Sequence, residues 1–420
     1  MEKSLTVWIL QTGEPLHIDS GSPRPMRAMN LADALVEAGH SVTLFSSDFS
    51  HAEKKHRFGQ HTKLQINEQL QYQLIPSPGY HGHMSVGRLY DHWVMGRNLK
   101  KILKNEKIPP DVAFVGFPPI EVAYYMACWL KKNKVPFLID TKDQWPAIFL
   151  NAIPKTLRLI GRLILSPYFY MAKKAMQNAS GISAMAQGFL NWSLNFSGRE
   201  QNANDRIVPL TTPAYVVDEE ARLSASTFWQ QQQVSPHSTK IVFIGTHSAA
   251  FDMAPVIDAA RYFESENKDI KFFICGNGPM TAEWKKQFGN CSNVSFPGWV
   301  DRAQIQILLG STLAILAPYQ STENFVANFP NKVVDALSYG KPVLTGLKGE
   351  VETIVKAERV GLFYGESESK LEQCIEALIA DPTLLMDIES NAVRVYREKY
   401  EYKKVYSGLV NHLSNLANRG

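Results

Sequence analysis

The chain has 420 residues, of which 45% are hydrophobic and 20% are charged. This composition is typical of a globular protein rather than a disordered or fibrous one, and the length predicts two domains. The cysteines show neither close pairing nor metal-ligand spacing, which argues against a disulfide framework and a zinc site; they are Cys128, Cys275, Cys291 and Cys374.

The net charge of +4 conceals a difference between the two halves of the chain. Up to Lys174 there are 22 Lys and Arg against 14 Asp and Glu, whereas the rest of the chain has 22 against 26. A basic first half predicts an anionic surface or an anionic acceptor as its partner. We do not expect nucleic acid as a partner, because the basic residues are not interleaved with stacking aromatic side chains.

The start of the chain, MEKSLTVWILQTG, lacks the long apolar core and the cleavage site of a signal peptide. No run of about 18 apolar residues occurs that could span a membrane. We therefore expect a cytoplasmic protein, and the basic first half leaves open a peripheral attachment to the inner face of the membrane.

The first half alternates between short apolar runs and amphipathic stretches. The apolar run Leu5–Leu10 is followed by a loop rich in glycine, serine and proline, and then by the amphipathic stretch Arg27–Ala38. This alternation predicts a parallel sheet with helices on both faces. A further helix is predicted at Val122–Leu130, and further strands at Ser41–Ser46, Leu70–Ile75, Asp111–Gly116, Val135–Asp140, Gly181–Ala184 and Ile207–Leu210.

The second half repeats this alternation and predicts a second Rossmann-like domain. The domain boundary is expected within Pro213–Thr239, so that residues 1–212 form one domain and residues 213–395 the other. Two such domains facing each other leave a cleft at the carboxyl ends of their strands. The predicted strands are Lys240–Gly245, Lys271–Gly276, Asn293–Phe296, Leu313–Pro318 and Pro342–Thr345. The predicted helices are Ala254–Asn267, Met280–Phe288, Arg302–Gly310 and Lys332–Tyr339.

The segment 328–345, NFPNKVVDALSYGKPVLT, is typical of a loop, a short helix and a buried strand. Pro330 suits the first helical position, with Asn328 or Asn331 as the cap, and Gly340 suits a left-handed helix end.

Asn331, Lys332 and Asp335 are predicted on one face of this helix. Lys332 belongs to the first turn, where unpaired N–H groups already favour an anion. A cation, backbone amides and a carboxylate at one helix start can hold a phosphate and a sugar hydroxyl together, which indicates a nucleotide-sugar site. The alternative is an ordinary capped helix between a loop and a strand.

The same segment resembles the donor-binding signature of glycosyltransferase family 4, of the bacterial surface-polysaccharide type. The matching residues are the Pro-x-Lys of Pro330–Lys332, the acidic Asp335 and the Gly-Lys-Pro-Val of Gly340–Val343. Asp335 matches the second of the family's two glutamates, whereas Ala327 stands where the first would be. The resemblance implies the α/β GT-B fold, in which two Rossmann-like domains face each other across a cleft and residues 396–420 cross back onto the first domain. It also implies that no metal or other cofactor is needed.

Two further fragments resemble parts of the family's donor domain. The stretch Ile274–Pro279, ICGNGP, resembles the Gly-x-Gly that follows a central strand and includes Gly276. The stretch 293–300, NVSFPGWV, resembles the segment whose backbone meets the nucleotide base, which implies that role for Trp299 and Val300.

The stretch Asp140–Pro146, DTKDQWP, follows a predicted strand and resembles a segment of family members that build surface polysaccharides. We interpret Asp143 as a catalytic carboxylate near the acceptor hydroxyl. The alternative is that Asp143 caps a helix that begins at Trp145.

The chain departs from the family pattern after the first strand of the donor domain. The family often has an arginine there and a lysine several residues later, both on the diphosphate, but Gly245 is followed by Thr246, His247 and Ser248. Arg24, Arg27 and His247 can also be ordinary surface or strand-end residues. The phosphate partners that the resemblance leaves are Gly245, His247, Lys332, Gly21, Arg24 and Arg27, and Asn328 and Asn331 complete the donor site.

The stretch Lys155–Lys174, KTLRLIGRLILSPYFYMAKK, combines basic residues with an apolar stripe. One interpretation is an interfacial helix that meets a lipid-linked acceptor at an anionic membrane. The other is a helix that faces the core and has a solvated basic edge.

The resemblance implies a retaining glycosyltransferase of the hexosyl or N-acetylhexosaminyl type. The sugar would pass from a UDP-linked donor to a polysaccharide or lipid-linked acceptor, and the leaving diphosphate would take the acceptor proton. Lys332 would stabilise the leaving group and Asp335 would hold the ribose. Two alternatives remain: a UDP-sugar 2-epimerase of the same fold, and a non-catalytic partner subunit of a transferase.

Overall fold

The computed structural model describes residues 4–20, 24–82, 85–151, 153–211, 213, 217–232, 238–365 and 369–419. The chain forms two compact units. The first comprises Met1–Pro213 and Tyr402–Gly420, and the second comprises Ala214–Glu401.

The first unit alternates strands and helices along most of its length. Its strands are β1 (Thr6–Leu10), β2 (Ser41–Ser47), β3 (Phe49–Ser50), β4 (Lys55–His56), β5 (Thr62–Gln65), β6 (Leu70–Ile75), β7 (Val112–Phe117), β8 (Phe137–Thr141), β9 (Gly181–Ala184) and β10 (Arg206–Ile207). Its helices are α1 (Arg27–Glu37), α2 (Val86–Asn105), α3 (Ile120–Lys132), α4 (Ala147–Asn151), α5 (Arg158–Ile164), α6 (Ser166–Asn178) and α7 (Gln187–Ser197), with a 3-10 turn at Lys155–Leu157.

The second unit is a smaller version of the same arrangement. Its helices are α8 (Glu219–Gln231), α9 (Ala254–Ser265), α10 (Thr281–Phe288), α11 (Arg302–Gly310), α12 (Glu323–Val326), α13 (Asn331–Ser338), α14 (Glu350–Glu358), α15 (Leu371–Ala380) and α16 (Pro382–Val395). Its strands are β11 (Thr239–Ile244), β12 (Ile270–Cys275), β13 (Val294–Gly298), β14 (Ala314–Leu316), β15 (Val343–Thr345) and β16 (Gly361–Phe363). A π-helical turn at Tyr396–Tyr400 precedes α17 (Tyr402–Ala417), which belongs to the first unit.

Each unit is built on one main sheet. The strand order in the first is β10-β9-β8-β7-β1-β2-β6-β5, and only the edge pair β5–β6 is antiparallel. The order in the second is β13-β12-β11-β14-β15-β16, and all its pairs are parallel. The prediction of an α/β chain with two Rossmann-like sheets is confirmed.

Parallel strands buried on both faces explain the apolar runs of the sequence. In the first unit β1 packs beneath α1 and α17, and Ile9, Leu31 and Leu413 share one core in which each is fully buried. In the second unit, Phe243 and Phe272 lie in a separate core under α9. The C-terminal helix α17 thus contributes to the core of the first unit.

The sequence did not predict α2, the longest helix of the first unit. Its buried face includes the polar residues Asp91 and His92 and the small Gly96, so the apolar period of an amphipathic helix is broken. The stretch Lys155–Lys174 is not one helix, because α5 ends at Ile164 and α6 begins at Ser166 with a proline in its first turn.

Candidate functional site

The carboxyl ends of β11 and β12 form one edge of the second sheet. Gly245 and Gly276 follow these strands directly, and their backbones pack so closely that a β-carbon on Gly276 would collide with the Gly245 carbonyl oxygen. A β-carbon on Gly278 would likewise collide with the backbone of His247. Only glycine permits this approach of the two loops.

Lys332 brings a positive charge to this edge. Its Nζ atom donates to the carbonyl oxygen of Ile244, the last residue of β11, and a β-carbon on Gly245 would occupy the same space as Nζ. The ammonium also lies 4.8 Å from the centre of the Phe243 ring and 5.2 Å from that of Phe251. The aromatic rings and the strand end therefore fix the position of the charge.

Lys332 lies in the first turn of α13, as the sequence predicts, but the predicted cap is wrong. Pro330 occupies the cap position rather than the first helical position, and no side chain makes a cap hydrogen bond. Asn331 is the first helical residue, and Asn328 has a buried Oδ1 atom without a hydrogen-bond partner among the described residues. Gly340 has the predicted left-handed conformation, with a φ of 63°.

Asp335 is half-buried one turn further along α13. Burial raises the pKa of the Tyr319 hydroxyl above its usual value, and the negative charge of Asp335 raises it further. The Tyr319 ring also packs against Phe251, with ring centroids 4.7 Å apart. The carboxylate of Asp335 is thus near the aromatic cluster that surrounds Lys332.

His247 is fully buried at this edge. Its Nδ1 atom lies 2.9 Å from the Thr281 hydroxyl, its ring lies 4.7 Å from the Trp284 ring, and its Nε2 atom has no hydrogen-bond partner among the described residues. Burial lowers the pKa of His247; the Cys275 carbonyl opposes this shift, whereas the charges of Lys332 and Lys285 add to it. A neutral, buried imidazole favours a role in supporting the loop over contact with a phosphate.

The predicted base-binding residues follow β13. The Gly298 carbonyl accepts a hydrogen bond of 2.6 Å from the Gly276 amide, which joins this segment to the end of β12. The Trp299 side chain is 72% exposed, whereas Val300 is buried. Gly245, Gly276, Lys332, Trp299 and Val300 are therefore brought to one end of the second sheet.

The first unit has a cavity of about 210 Å³ at the carboxyl ends of β1, β2, β7 and β8. The half-buried Asp143 lies in its wall, as does Arg88, whose guanidinium lies 5.2 Å from the centre of the Trp145 ring. The other polar lining residues are Gln11, Thr12, Glu14, Ser47, His51, Tyr80, Asp91, His92 and Lys142.

Glu14 holds the start of α1 beside this cavity. Its Oε2 atom accepts a hydrogen bond of 2.8 Å from the Ala28 amide, and its Oε1 atom forms an ion pair with Lys142. A carboxylate of the protein thus occupies the start of α1, the helix that begins at Arg27, one of the phosphate partners that the resemblance implied.

The structure does not support the predicted role of Arg27 as a phosphate partner. Its side chain is fully buried, with Nε 3.1 Å from Oδ2 of the equally buried Asp140 and Nη2 donating to the Val208 carbonyl at 2.7 Å. A guanidinium held in the interior by a carboxylate and a carbonyl does not reach a surface ligand. Arg24 is exposed, and Gly21 lies outside the described residues.

Two buried ionisable residues beside the cavity, Asp91 and His92, were not predicted from the sequence. Burial lowers the pKa of His92 to about 3, and the charges of Arg88 and His51 act in the same direction. Burial also raises the pKa of Asp91, whose Oδ1 atom accepts a hydrogen bond of 2.7 Å from the Gly79 amide. The only sign of them in the sequence is the Asp91-His92 pair, which lies within a polar stretch. The pair can be recognised as part of a buried face only once α2 is known to be a helix.

No group of three or more His, Cys, Asp or Glu residues is arranged to hold a metal ion in the part of the chain that the structure describes. None of the four cysteines forms a disulfide in the structure. Among the described helices, none combines the length and apolar character of a membrane-spanning segment.

Comparison with known proteins found a family match within the second unit. Residues 226–395, which lie within the second unit, match the family model of glycosyl transferases group 1. A search of curated proteins found no significant match to the sequence.

Solved structures resemble the whole chain. Sucrose-phosphate synthase from Thermosynechococcus elongatus superimposes with a TM-score of 0.69 at 12% identity, covering 99% of this chain and 100% of its own. HepE from Anabaena, in complex with UDP, gives 0.65 at 16% identity, with 99% and 100% covered. WaaG, a glycosyltransferase involved in lipopolysaccharide biosynthesis, gives 0.62 at 15% identity, with 97% and 99% covered. The chain therefore has the GT-B fold.

Proposed function

We propose that this protein is a retaining glycosyltransferase that moves a sugar from a UDP-linked donor to a saccharide or lipid-linked acceptor. The observation that carries the proposal is the ammonium of Lys332 at the end of β11, in the first turn of a helix whose cap residue, Pro330, makes no side-chain hydrogen bond. The match of residues 226–395 to the glycosyl transferases group 1 model supports it. The resemblance of the 328–345 segment to family 4 enzymes favours that family.

Three features of the second unit suit a diphosphate ligand. Lys332 and the N-terminal amides of α13 present positive potential at one place, and the glycines at 245 and 276 let the ligand approach the backbone. HepE, one of the similar structures, was solved with UDP and with UDP-glucose, which favours UDP as the carrier. Asp335, on the same helix, suits the ribose hydroxyls.

The reaction would break the bond between the anomeric carbon and the diphosphate oxygen. The acceptor oxygen would bond to the same face of that carbon, and its proton would pass to the leaving diphosphate. Stabilising the charge that develops on this leaving group is the main task of Lys332. The Asp143 carboxylate would orient the acceptor hydroxyl in the cavity of the first unit.

Donor binding tests the proposal directly. UDP, other nucleoside diphosphates and a panel of their sugars should be screened by thermal shift and then by calorimetry. We expect UDP and one UDP-sugar to raise the melting temperature, because a ligand that binds only the folded state stabilises it. If no nucleotide binds, the donor-site assignment fails.

A UDP-sugar 2-epimerase is the second candidate, because Asp91, His92 and Asp143 place acids and a histidine around the cavity of the first unit. Incubation with the selected UDP-sugar, followed by chromatography of the products, distinguishes the candidates. A transferase releases UDP and needs an acceptor, whereas an epimerase gives an isomeric UDP-sugar without releasing UDP. Binding without either product would identify a non-catalytic partner subunit.

A further inference from the structure

Residues 155–164, which we term the apolar-basic segment, expose an unusual amount of hydrophobic surface. Neither the 3-10 turn nor α5 has a buried residue. The five most apolar side chains are exposed to between 50% and 82%; they are Leu157, Leu159, Ile160, Leu163 and Ile164. The interpretation of Lys155–Lys174 as a core-facing helix is therefore wrong for residues 155–164, whereas Ala172 of α6 is buried. A contiguous apolar surface of this kind marks a site of interaction.

The charge around the segment has one sign. No Asp or Glu occurs from residue 144 to residue 199, whereas six Lys and Arg do. Lys155 and Arg162 are exposed within the segment itself, and Lys173 and Lys174 are exposed on α6. The surface is thus apolar and cationic at once, which matches the boundary between the headgroups and acyl chains of an anionic bilayer.

The segment is joined by packing to the cavity of the first unit. Arg88 lies in the wall of the cavity, and its guanidinium lies 5.2 Å from the centre of the Trp145 ring. The Trp145 ring packs in turn on Phe149 of α4, with centroids 4.5 Å apart. Helix α5 then packs on α4 through Gly161, where an added β-carbon would lie 3.2 Å from a methyl carbon of Leu150. The segment is therefore linked to the wall of the cavity through α4 and Trp145.

We propose that the apolar-basic segment inserts into the surface of an anionic membrane and attaches the first unit to it. The attachment would not depend on the proposed transfer reaction. If that reaction is also correct, the acceptor taken into the cavity is linked to a lipid of the same membrane. The leucines enter the acyl boundary while Lys155 and Arg162 contact the lipid phosphates.

A second copy of this chain is a poorer occupant than a bilayer. A two-fold contact would place the same patch on itself, so that the exposed cations of one copy would face those of the other. No acidic side chain from 144 to 199 is present to relieve that repulsion. The phosphates of an anionic membrane supply the complementary charge instead.

Vesicle sedimentation of the full chain tests the proposal. The probes are vesicles of phosphatidylcholine alone and of phosphatidylcholine with roughly 30% phosphatidylglycerol. We expect binding to the anionic vesicles at about 50 mM salt and release by about 500 mM. Failure of the wild-type chain to bind anionic vesicles at low salt would overturn the proposal.

Two double variants separate the apolar contribution from the charge. Leu159→Gln with Leu163→Gln leaves the charge unchanged and should weaken vesicle binding by about tenfold or more, because both side chains are at least 75% exposed and available to lipid. Lys155→Glu with Arg162→Glu, which reverses two exposed cations, should weaken it at least as much at low salt. The matched controls are Ile108→Gln with Leu223→Gln, which alters exposed apolar residues elsewhere, and Lys131→Glu with Lys132→Glu, which makes the same change in charge.

Three further outcomes would contradict attachment of the segment to a membrane. If the controls weaken binding as much as the test variants, attachment is unspecific and the segment has no special role. If the leucine variant unfolds, the segment is a packed structural element and the proposal fails. If light scattering shows a dimer that the leucine variant converts to a monomer, while vesicle binding is absent, the occupant is a second copy of the chain.

Discussion

The first turns of α1 and α13, one in each unit, have opposite electrostatic surroundings. Helix α1 of the first unit begins against the Glu14 carboxylate, which accepts the Ala28 amide and pairs with Lys142. Helix α13 of the second unit follows Pro330, whose side chain makes no cap hydrogen bond, and carries the cation Lys332 in its first turn. One helix start is neutralised by the protein itself, whereas the other accumulates positive potential.

This difference favours the second unit as the anion site of the proposed reaction. A helix N-terminus stabilises a nearby anion by about 0.3–1 kcal/mol at exposed positions, and a protein carboxylate already uses that stabilisation at α1. At α13 the N-terminus and Lys332 act in the same direction, so an external anion gains from both. Substitutions that alter this contrast should affect donor binding most at Lys332 and least at Glu14.

Replacing Lys332 with alanine should have the largest effect. The change removes the only cation of the first turn of α13, and loss of one leaving-group stabiliser typically costs a few kcal/mol. We expect kcat/KM for turnover of the selected UDP-sugar to fall by about 10² or more. Lys341→Ala, which breaks a surface pair with Glu389 beyond the other end of α13, is the control. If kcat/KM of Lys332→Ala lies within threefold of the wild-type value, Lys332 does not stabilise the leaving diphosphate.

Replacing Gly245 with alanine tests the position of that cation without removing it. The added β-carbon would collide with Nζ of Lys332, so the amine must leave the end of β11. We expect UDP affinity, measured by calorimetry, to fall by roughly 30-fold, somewhat less than a complete loss of the charge. Gly310→Ala is the matched control, because a β-carbon there meets open space. Equal affinities of the two variants would contradict the geometry of the site.

Asp335→Ala should weaken UDP binding by about tenfold, because the ribose hydroxyls would lose an acceptor in a partly buried site. Calorimetry with UDP and with ribose-free diphosphate measures the effect, and only UDP should be affected. Asp258→Ala on the exposed face of α9 serves as the control. A folded Asp335→Ala protein with unchanged UDP affinity would give Asp335 a structural role.

Glu14→Gln should have the smallest effect on donor binding and a measurable effect on stability. Glutamine can still accept the Ala28 amide, but the ion pair with the largely buried Lys142 is lost. We expect the free energy of unfolding to fall by about 1–2 kcal/mol in denaturant titrations, with UDP affinity within twofold of wild type. The exposed Glu53→Gln is the control for stability. A large loss of UDP affinity would show that the anion site includes the start of α1.

Much of the fold could be read from local patterns. The strands at 70–75 and 181–184 and the helix at 302–310 were predicted with the bounds that the structure has. Buried parallel strands are continuous apolar runs, and helix ends carry their own proline and glycine signals, so both are visible within a few residues. Helix α2 was not predicted because its buried face is partly polar, so its sequence lacks the apolar periodicity of an amphipathic helix.

The sequence by itself determined the α/β architecture, the first turn of α13 with Lys332, and the glycines that follow β11 and β12, because each depends on neighbours in the chain. Only the tertiary structure decided that Arg27 faces Asp140 in the interior, that Glu14 holds the start of α1, and that Leu159 and its neighbours are exposed. Arg27 and Asp140 are far apart in sequence and meet only when α1 packs on the sheet. The same amphipathic pattern suits a core and a membrane surface equally well, and packing alone determines which of the two an apolar stripe faces.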